Sequence, residues 1–280
     1  MKNHSISEKT ILGFRDYLIE NEKSEATIQK YLHEVRALKD YLAGEAVTKN
    51  RVLNYRQFLR DQNQASTVNV KLSAINHYLK FYHLSDCTVK LLKIQRSAFV
   101  DEEKELTRQE YRDLLREAKI QKKDRLYYLL LTICSTGIRV SETGFITVEA
   151  VACGKAEISM KGKNRIIILP GKLIKKLKLY IRSKKIKSGP VFCTRSGQAM
   201  DRSNICHEMK KLGEQAGIRR EKVHPHSLRH LFARQFYKVH KNIAHLADVL
   251  GHSSIETTRI YVAASAGEHK RTIENMNLII

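Results

Sequence analysis

Several common features are absent from this chain of 280 residues, and each absence narrows what the protein can be. The five cysteines are scattered and include no CxxC pair, which excludes a disulfide framework or zinc ribbon and predicts reduced thiols in a cytoplasm. The N-terminus lacks an apolar signal core, and the longest apolar run, residues 126–134, is too short to span a bilayer; it predicts a buried helix and no membrane partner. No DxD or DDE cluster occurs, and His226 and His230 lack the glutamate of a HExxH site, so we expect no metal and no other cofactor.

Acidic residues are also scarce, because 51 Lys and Arg face only 29 Asp and Glu, a net charge of +22. The excess is uneven: residues 1–85 carry 13 basic and 9 acidic side chains, and residues 86–280 carry 38 and 20. A polyanion, such as nucleic acid, is the expected partner of such a surface. The basic surface should lie mainly on the C-terminal two thirds of the chain.

Residues 1–85 contain no proline and repeat apolar side chains at helical spacing, which predicts a small all-α domain. The predicted helices are 6–22, 24–43, 48–62 and 66–83. Residues 86–105 are weakly periodic and end in the acidic run DEEKE, which favours an extended linker.

Residues 106–280 predict a second, mixed domain. A capping box of Thr107 and Glu110 opens its first helix, and a second helix is predicted over 124–135. Alternating residues over 148–169, with turns at Gly154 and Gly162, predict a small antiparallel sheet. A short strand is possible over residues 191–193, and helices follow to the C-terminus. The predicted fold is mainly α with one small β-sheet.

Four stretches carry side chains suited to phosphate chemistry. They are TGIRVSE at 136–142, MKGKNRIIILP at 160–170, HPHSLRHLFAR at 224–234 and LGHSSIETTRIYV at 250–262. Each has an ordinary structural explanation: an arginine pairing with Glu142, a solvated hairpin tip, a hydrogen-bonded histidine, and a tyrosine in a core helix. In the last stretch Ser253 and Glu256 predict a capping box, so His252 precedes a helix and Tyr261 lies two turns into it.

Together the four stretches supply a coherent set of groups. Two arginines can grip the oxygens of a phosphodiester, and two histidines can donate to the same phosphate or shuttle a proton. A lysine on the turn at Gly162 can protonate a departing sugar hydroxyl. A tyrosine hydroxyl can attack phosphorus once these cations stabilise the developing charge.

Three of these motifs, TGIRVSE, HSLRHLFA and LGHSSIETTRIY, resemble the arginine, histidine-x-x-arginine and histidine-to-tyrosine boxes of the tyrosine recombinase (phage integrase) family. The resemblance covers nearly the whole chain. It implies a helical, SAM-like core-binding domain and an α/β catalytic domain that close as a C-shaped clamp on duplex DNA. Thr143 and Arg234 depart from the family, which often has leucine and threonine there.

The resemblance also implies roles for individual residues. Arg139 and Arg229 would bind phosphate, His226 and His252 would assist, and Tyr261 would be the nucleophile of a site-specific DNA recombinase. Attack would leave a 3′-phosphotyrosyl link and a free 5′-hydroxyl, without metal or ATP. Lys161 is the preferred catalytic lysine and Lys163 its competitor; Lys163 and Arg165 are expected to contact DNA.

Further expectations concern assembly. The resemblance implies a homotetramer on synapsed double-stranded DNA, in which the tail after Tyr261 docks into a neighbouring protomer; packing on its own domain is the alternative. The eight basic residues of 172–187 either face solvent or contact the DNA backbone. The lack of an extra module before the first helix favours a Xer-type or transposon recombinase. DNA-bending or direction-setting helper proteins cannot be identified from the sequence.

Two other functions fit parts of the pattern. A type IB topoisomerase-like enzyme would share the chemistry but rejoin its own strand. A DNA-binding regulator would keep the fold without activity, but it has no need for Tyr261 at this spacing from His252.

Overall fold

The computed structural model describes residues 4–94, 102–160, 163–194, 197–262 and 274–275. The chain divides into two compact units, Met1–Arg96 and Ser97–Ile280. No helix within these described ranges combines the length and the apolar character that crossing a membrane requires.

The first unit is a bundle of four helices, as predicted. They are α1 (Glu8–Glu20), α2 (Glu25–Leu42), α3 (Lys49–Gln62) and α4 (Ala65–Phe81). Apolar side chains three and four residues apart form one buried stripe on each helix, for example Leu32, Val35 and Leu38 on α2. A capping box of Ser7 and Thr10 fixes the start of α1.

The chain after α4 remains attached to the first unit through two asparagine side chains. Asn76 donates to the Val89 carbonyl at 2.8 Å and accepts from the Val89 amide at 3.0 Å. Asn69 makes the same pair of bonds with Leu92, at 2.9 and 2.7 Å. The first part of the predicted linker therefore lies along α4 as an extended strap, while residues 95–101 are outside the described residues.

The second unit is mainly helical and carries one hairpin. Its elements are α5 (Arg108–Ile120), α6 (Asp124–Thr136), a 3₁₀ helix (Val140–Phe145), α7 (Val148–Cys153), β1 (Lys155–Met160), β2 (Lys163–Ile168), α8 (Gly171–Ser183), α9 (Arg202–Gln215), α10 (Pro225–His240), α11 (Ile243–Leu250) and α12 (Ile255–Val262). The apolar run predicted to be buried forms α6, which packs against α5, α8, α9 and α10 at the centre of the core. The capping box of Thr107 and Glu110 opens α5 as expected.

The sheet is smaller than the sequence pattern predicted. β1 and β2 pair antiparallel from Lys155 opposite Ile168 to Met160 opposite Lys163. The preceding residues, 148–153, form a helix and not a strand, because the Thr147 side chain caps them and Gly154, at φ +76°, ends them. Residues 191–193 do not form a strand either; Cys193 makes only an isolated bridge to Ala199.

Two helices begin near the site. α10 begins at Pro225, because His224 is extended and its ring accepts from the Ser227 amide at 3.1 Å. α12 begins at Ile255, and the Ser254 hydroxyl accepts from the Glu256 amide at 3.2 Å, so the cap lies one residue after Ser253. Tyr261 still lies in the second turn of this helix.

Candidate active site

A buried arginine lies at the centre of the site. Arg229 is 1% exposed and donates to the carbonyls of Gly137 and Leu250, the second at 2.7 Å. These carbonyls belong to the C-terminal ends of α6 and α11, where helix carbonyls lack partners and carry partial negative charge. Burial lowers the Arg229 pKa to about 10, and the charge of Arg139 acts in the same direction. Its guanidinium therefore remains charged at neutral pH.

Gly137 holds one of these carbonyls in place. It ends α6 at φ +65°, and a Cβ there would lie 2.7 Å from a ring carbon of Phe232. Glycine is thus required both by the backbone conformation and by the close packing of α10.

Arg139 adds a second guanidinium, and its side chain is 34% exposed. It donates to Glu142 at 3.0 Å and to the Gly251 carbonyl at 3.3 Å. The pairing with Glu142, expected as the ordinary structural explanation, therefore exists and holds Arg139 beside Arg229. The two guanidiniums donate to the neighbouring carbonyls of Gly251 and Leu250 at the end of α11.

Glu142 forms ion pairs with Arg139 and with Arg165. Burial raises the pKa of its carboxyl, but the Arg139 amide and the charge of Arg165 outweigh burial and hold the pKa below its usual range. Arg165 on β2 donates to Glu142 and to the Val249 carbonyl, the latter at 3.2 Å. Its side chain is 12% exposed and pairs with Glu142, and the expected contact of Arg165 with DNA stays a prediction.

The conformation of Gly251 and the contacts of His252 explain why a glycine and a histidine precede α12. Gly251 adopts φ +63°, and a Cβ there would lie 2.9 Å from Nη1 of Arg165 and closer still to its Cδ. Only glycine lets the chain turn here while Arg165 packs against it. The turn carries His252 directly onto Arg229.

His252 has a defined tautomer. Its Nε2 lies 2.9 Å from Nη2 of Arg229, and because arginine can only donate, this nitrogen accepts. The proton is then on Nδ1, which donates to the buried Thr258 hydroxyl at 2.8 Å. Burial lowers the His252 pKa to about 4, and the charges of Arg229, Arg139 and Arg165 contribute. His252 is therefore neutral near pH 7.

Tyr261 lies against these groups. Its ring centroid is 5.4 Å from that of His252 and 4.4 Å from that of His230. The interaction with Tyr261 partly offsets the fall in the Arg229 pKa, so the phenol lies near the guanidinium. Arg139, Arg229, His252 and Tyr261 thus come together although they span more than 120 positions.

His226 occupies the first turn of α10, at the edge of this group. Its imidazole lines an open cavity of about 510 Å³ with Arg202 and Lys210 of α9. Partial burial lowers its pKa, and the charges of His230 and Arg229 act in the same direction. In the part of the chain that the structure describes, no three His, Cys, Asp or Glu side chains are grouped to hold a metal ion.

The expected lysines are the least well defined residues of the candidate active site. Lys161 and Gly162 lie outside the described residues, and Lys163 is described only as the first residue of β2. The tail expected to dock in a neighbour lies outside the described residues as well, apart from 274–275. The sequence analysis missed the contributions of Thr258 and Glu105, since neither has a local signal.

The departure at Arg234 has a structural reason. Its Nη2 donates to the Leu106 carbonyl at 2.8 Å and lies 3.4 Å from Oε2 of Glu105. Thr143 is buried, and its hydroxyl donates to the Val140 carbonyl at 2.8 Å. Neither residue replaces a member of the site.

Two family models match this chain. Residues 4–84 match the phage integrase N-terminal SAM-like domain, and residues 104–268 match the phage integrase family. The second match alone covers more than half of the chain, so the chain belongs to the phage integrase family. This confirms the resemblance carried by the three motifs.

Its relatives include proteins named tyrosine recombinase XerA. The one from Pyrococcus furiosus is 28% identical over 100% of this chain and 98% of its own length. The one from Thermococcus onnurineus is 30% identical over 97% of this chain and 96% of its own.

Similar solved structures include a XerH site-specific recombinase bound to palindromic difH substrate in a post-cleavage complex (TM-score 0.73, 19% identity, 88% of this chain and 79% of that one). A lambda integrase tetramer bound to a Holliday junction is also similar (TM-score 0.70, 15% identity, 93% and 78%). At these identities the likeness establishes a shared fold.

Proposed function

We propose that this protein cuts and rejoins duplex DNA at specific sites, with Tyr261 as the nucleophile. The observation that carries the proposal is the packing of the Tyr261 ring against His252, whose Nε2 lies 2.9 Å from Nη2 of the buried Arg229, with Arg139 beside them. Family membership and the recombinases among its relatives support the same function.

The first step is binding of the scissile phosphate. Arg139 is open enough to turn toward a ligand, and Nε of Arg229 has no hydrogen-bond partner among the described residues. A buried donor without a partner is costly, and a phosphodiester oxygen would satisfy it. The phosphate would also offset the mutual repulsion of the two guanidiniums.

The second step is attack by the phenol oxygen on phosphorus. The new Tyr261–phosphorus bond forms at the 3′ side as the bond to the 5′-oxygen breaks. When Arg229 turns toward the phosphate, Nε2 of His252 becomes free to accept the phenol proton; His226 is a second neutral acceptor. Lys161 would protonate the departing 5′-oxygen, and Lys163 is the alternative donor.

The reverse reaction joins strands. A free 5′-hydroxyl of a partner strand attacks the phosphotyrosine, and Tyr261 leaves as the phenol. One phosphodiester is exchanged for another through an ester of similar energy, so neither ATP nor a metal enters the balance. Arg139 and Arg229 stabilise the charge in both directions.

We propose that four copies assemble on synapsed DNA, which the similar fold of a lambda integrase tetramer bound to a Holliday junction supports. Docking of each tail into a neighbour is a further part of this proposal. Deleting residues 272–280 should then abolish synapsis of two duplexes in a gel assay while sparing single-site binding. Unchanged synapsis would instead support packing of the tail on its own domain. A cytoplasmic location is part of the same proposal.

The basic helix α8 is proposed to contact the DNA backbone. It buries Leu173, Leu177 and Tyr180, and its lysines face outward. Replacing Lys172, Lys176 and other exposed lysines of α8 should lower the salt dependence of DNA binding, by about one unit of slope for each phosphate that a lysine no longer neutralises. An unchanged slope would show that the lysines serve only as a solvated face.

Covalent trapping tests the function itself. Fragments that the protein binds tightly are selected from sheared genomic DNA of the source organism, then rebuilt with one nick at each position in turn. Incubation in EDTA without Mg²⁺ should give an SDS-stable protein–DNA adduct. Tyr261→Phe should abolish the adduct, and Tyr237→Phe, a control in the same apolar cluster, should keep it.

The other outcomes select other functions. Sequence-specific binding without an adduct on any nicked fragment would overturn the proposal and favour a DNA-binding regulator. An adduct that rejoins only its own strand, and never a labelled partner strand, would favour a type IB topoisomerase-like enzyme. Failure to select any preferred sequence would overturn site specificity.

A further inference from the structure

We infer that Glu105, His230 and Arg234 act together as positioning residues for Tyr261, a group named here the tyrosine brace. This inference rests on the proposed function, because it concerns how the nucleophile of that reaction is aimed. None of the three is among the arginines, histidines or lysine expected to act on the phosphate.

The ring of His230 is the part of the brace that contacts the nucleophile. Its centroid lies 4.4 Å from that of Tyr261, with the planes inclined by 54°, and is nearer than the ring of His252 at 5.4 Å. Tilted aromatic contacts at this distance are attractive and restrict rotation of both rings. The Tyr261 ring is thus held by His230 as well as by His252.

Glu105 fixes the orientation of His230. Its Oε1 lies 3.2 Å from Nδ1 of His230, and because a carboxylate only accepts, this nitrogen must carry the proton. Its other oxygen lies 3.4 Å from Nη2 of Arg234. Burial raises the Glu105 pKa, but the bond to His230 and the charges of His230 and Arg234 outweigh it and lower the pKa, so the carboxylate stays ionised.

Both parts of the tyrosine brace, Glu105 on one side and His230 with Arg234 on the other, are attached to buried structure. Leu106, directly after Glu105, is fully buried in the main core, and Arg234 also donates to its carbonyl at 2.8 Å. His230 and Arg234 are four residues apart on α10, so they share one helix face. The Glu105 side chain is only 17% exposed, which leaves little room for another arrangement.

The nucleophile needs such support because, among the eight described residues of α12, only Thr258 is buried. A helix with so small a buried face depends on further tertiary contacts for its position. In-line attack demands that the reacting atoms approach within about 3–3.5 Å, and an error of about 1 Å can cost a factor of 100 in rate. The brace holds the Tyr261 ring beside His252, whose Nε2 lies 2.9 Å from Nη2 of Arg229.

Single-turnover cleavage of the trapped nicked duplex tests the inference. His230→Ala should slow adduct formation 10- to 100-fold with unchanged DNA affinity. His230→Phe, which keeps a ring but cannot bind Glu105, should be intermediate, and Glu105→Gln should resemble it. His207→Ala removes an exposed histidine of α9 and is the matched control.

A second substrate separates aiming of the nucleophile from departure of the leaving group. It carries sulfur in place of the bridging 5′-oxygen, and the thiolate leaves without needing a proton. His230→Ala should be slow on both substrates, whereas Lys161→Ala should regain its rate on the sulfur substrate. If sulfur restores the rate of His230→Ala, or if that variant cleaves within twofold of the parent, the brace is refuted.

A readout without DNA keeps the brace testable whatever the fate of the proposed function. The protein is labelled with 3-fluorotyrosine, and the ¹⁹F resonance of position 261 is assigned by its loss in Tyr261→Phe. His230→Ala and Glu105→Gln should shift and broaden this resonance, and His207→Ala should leave it in place. An unchanged resonance would overturn the brace even if the protein cleaves DNA.

Discussion

Gly251→Ala would test the close packing of the turn before His252 against Arg165. Two costs are expected. An alanine at φ +63° is strained by about 1–2 kcal/mol. Its Cβ would also lie 2.9 Å from Nη1 of an Arg165 side chain held at both ends, and such overpacking typically costs a further 1–3 kcal/mol or so.

Gly217→Ala is the matched control for the first cost. Gly217 has nearly the same φ, +68°, but open space where a Cβ would be. Urea denaturation of both variants should therefore show a loss of about 1 kcal/mol for Gly217→Ala, and about 1–3 kcal/mol more for Gly251→Ala.

The catalytic effect should separate the two variants further. Gly251 and Leu250 supply carbonyls that hold Arg139 and Arg229, so a shifted turn misplaces both guanidiniums. Cleavage of the nicked duplex should fall about 100-fold in Gly251→Ala and by less than twofold or so in Gly217→Ala. Equal stability losses, with cleavage unchanged in both variants, would refute the claim that Arg165 requires glycine here.

Three further predictions concern His252 and Arg229. Because the folded His252 pKa, about 4, lies below its ordinary 6.5, the unfolded chain binds the proton first, and stability should fall as pH drops from 6.5 toward 4, by about 1–2 kcal/mol after allowance for solvent screening. Free energies of unfolding, measured by urea titration at each pH in this range, should depend less steeply on pH in His252→Gln than in the parent protein. His207→Gln should keep the pH dependence of the parent. Thr258→Val removes the partner of Nδ1 and should cost about 1–3 kcal/mol in the same titration; no loss would contradict the contribution of this hydrogen bond. Arg229→Lys cannot reach the carbonyls of both Gly137 and Leu250 with a fork, so adduct formation should fall at least about 100-fold; a near-normal rate would show that a point charge suffices.

Local signals in the sequence predicted most of the fold. Caps such as the Thr107–Glu110 box and helical spacing mark the ends and faces of helices directly. They failed at α7, where a short valine-rich segment between turn residues looks like a strand, and the cap at Thr147 decides for helix.

The residues of the site also divide into those that have a local signal in the sequence and those that do not. Spacing within a motif pointed to His252 and Tyr261, which lie at fixed offsets along one turn and helix. It could not find Glu105, which looked like part of a solvated acidic linker, because its partners lie more than 120 positions away. The pairing of Arg165 with Glu142 was missed for the same reason, because it depends on tertiary packing.

The carbonyls that hold the arginines also decide when the site exists at all. Three guanidiniums are anchored on the last residues of α6 and α11, helices that lie more than 100 positions apart. If α11 frays even one turn, Arg139, Arg165 and Arg229 lose their carbonyl partners on α11 together and keep only Glu142 and the Gly137 carbonyl, so a partly opened chain has no complete site. Hydrogen exchange of the amides at the end of α11 thus reports the fraction of molecules in which the arginines of the site are held in place. A newly made or partly unfolded chain would then be unable to cleave DNA. Cleavage would become possible only after the last cooperative step of folding.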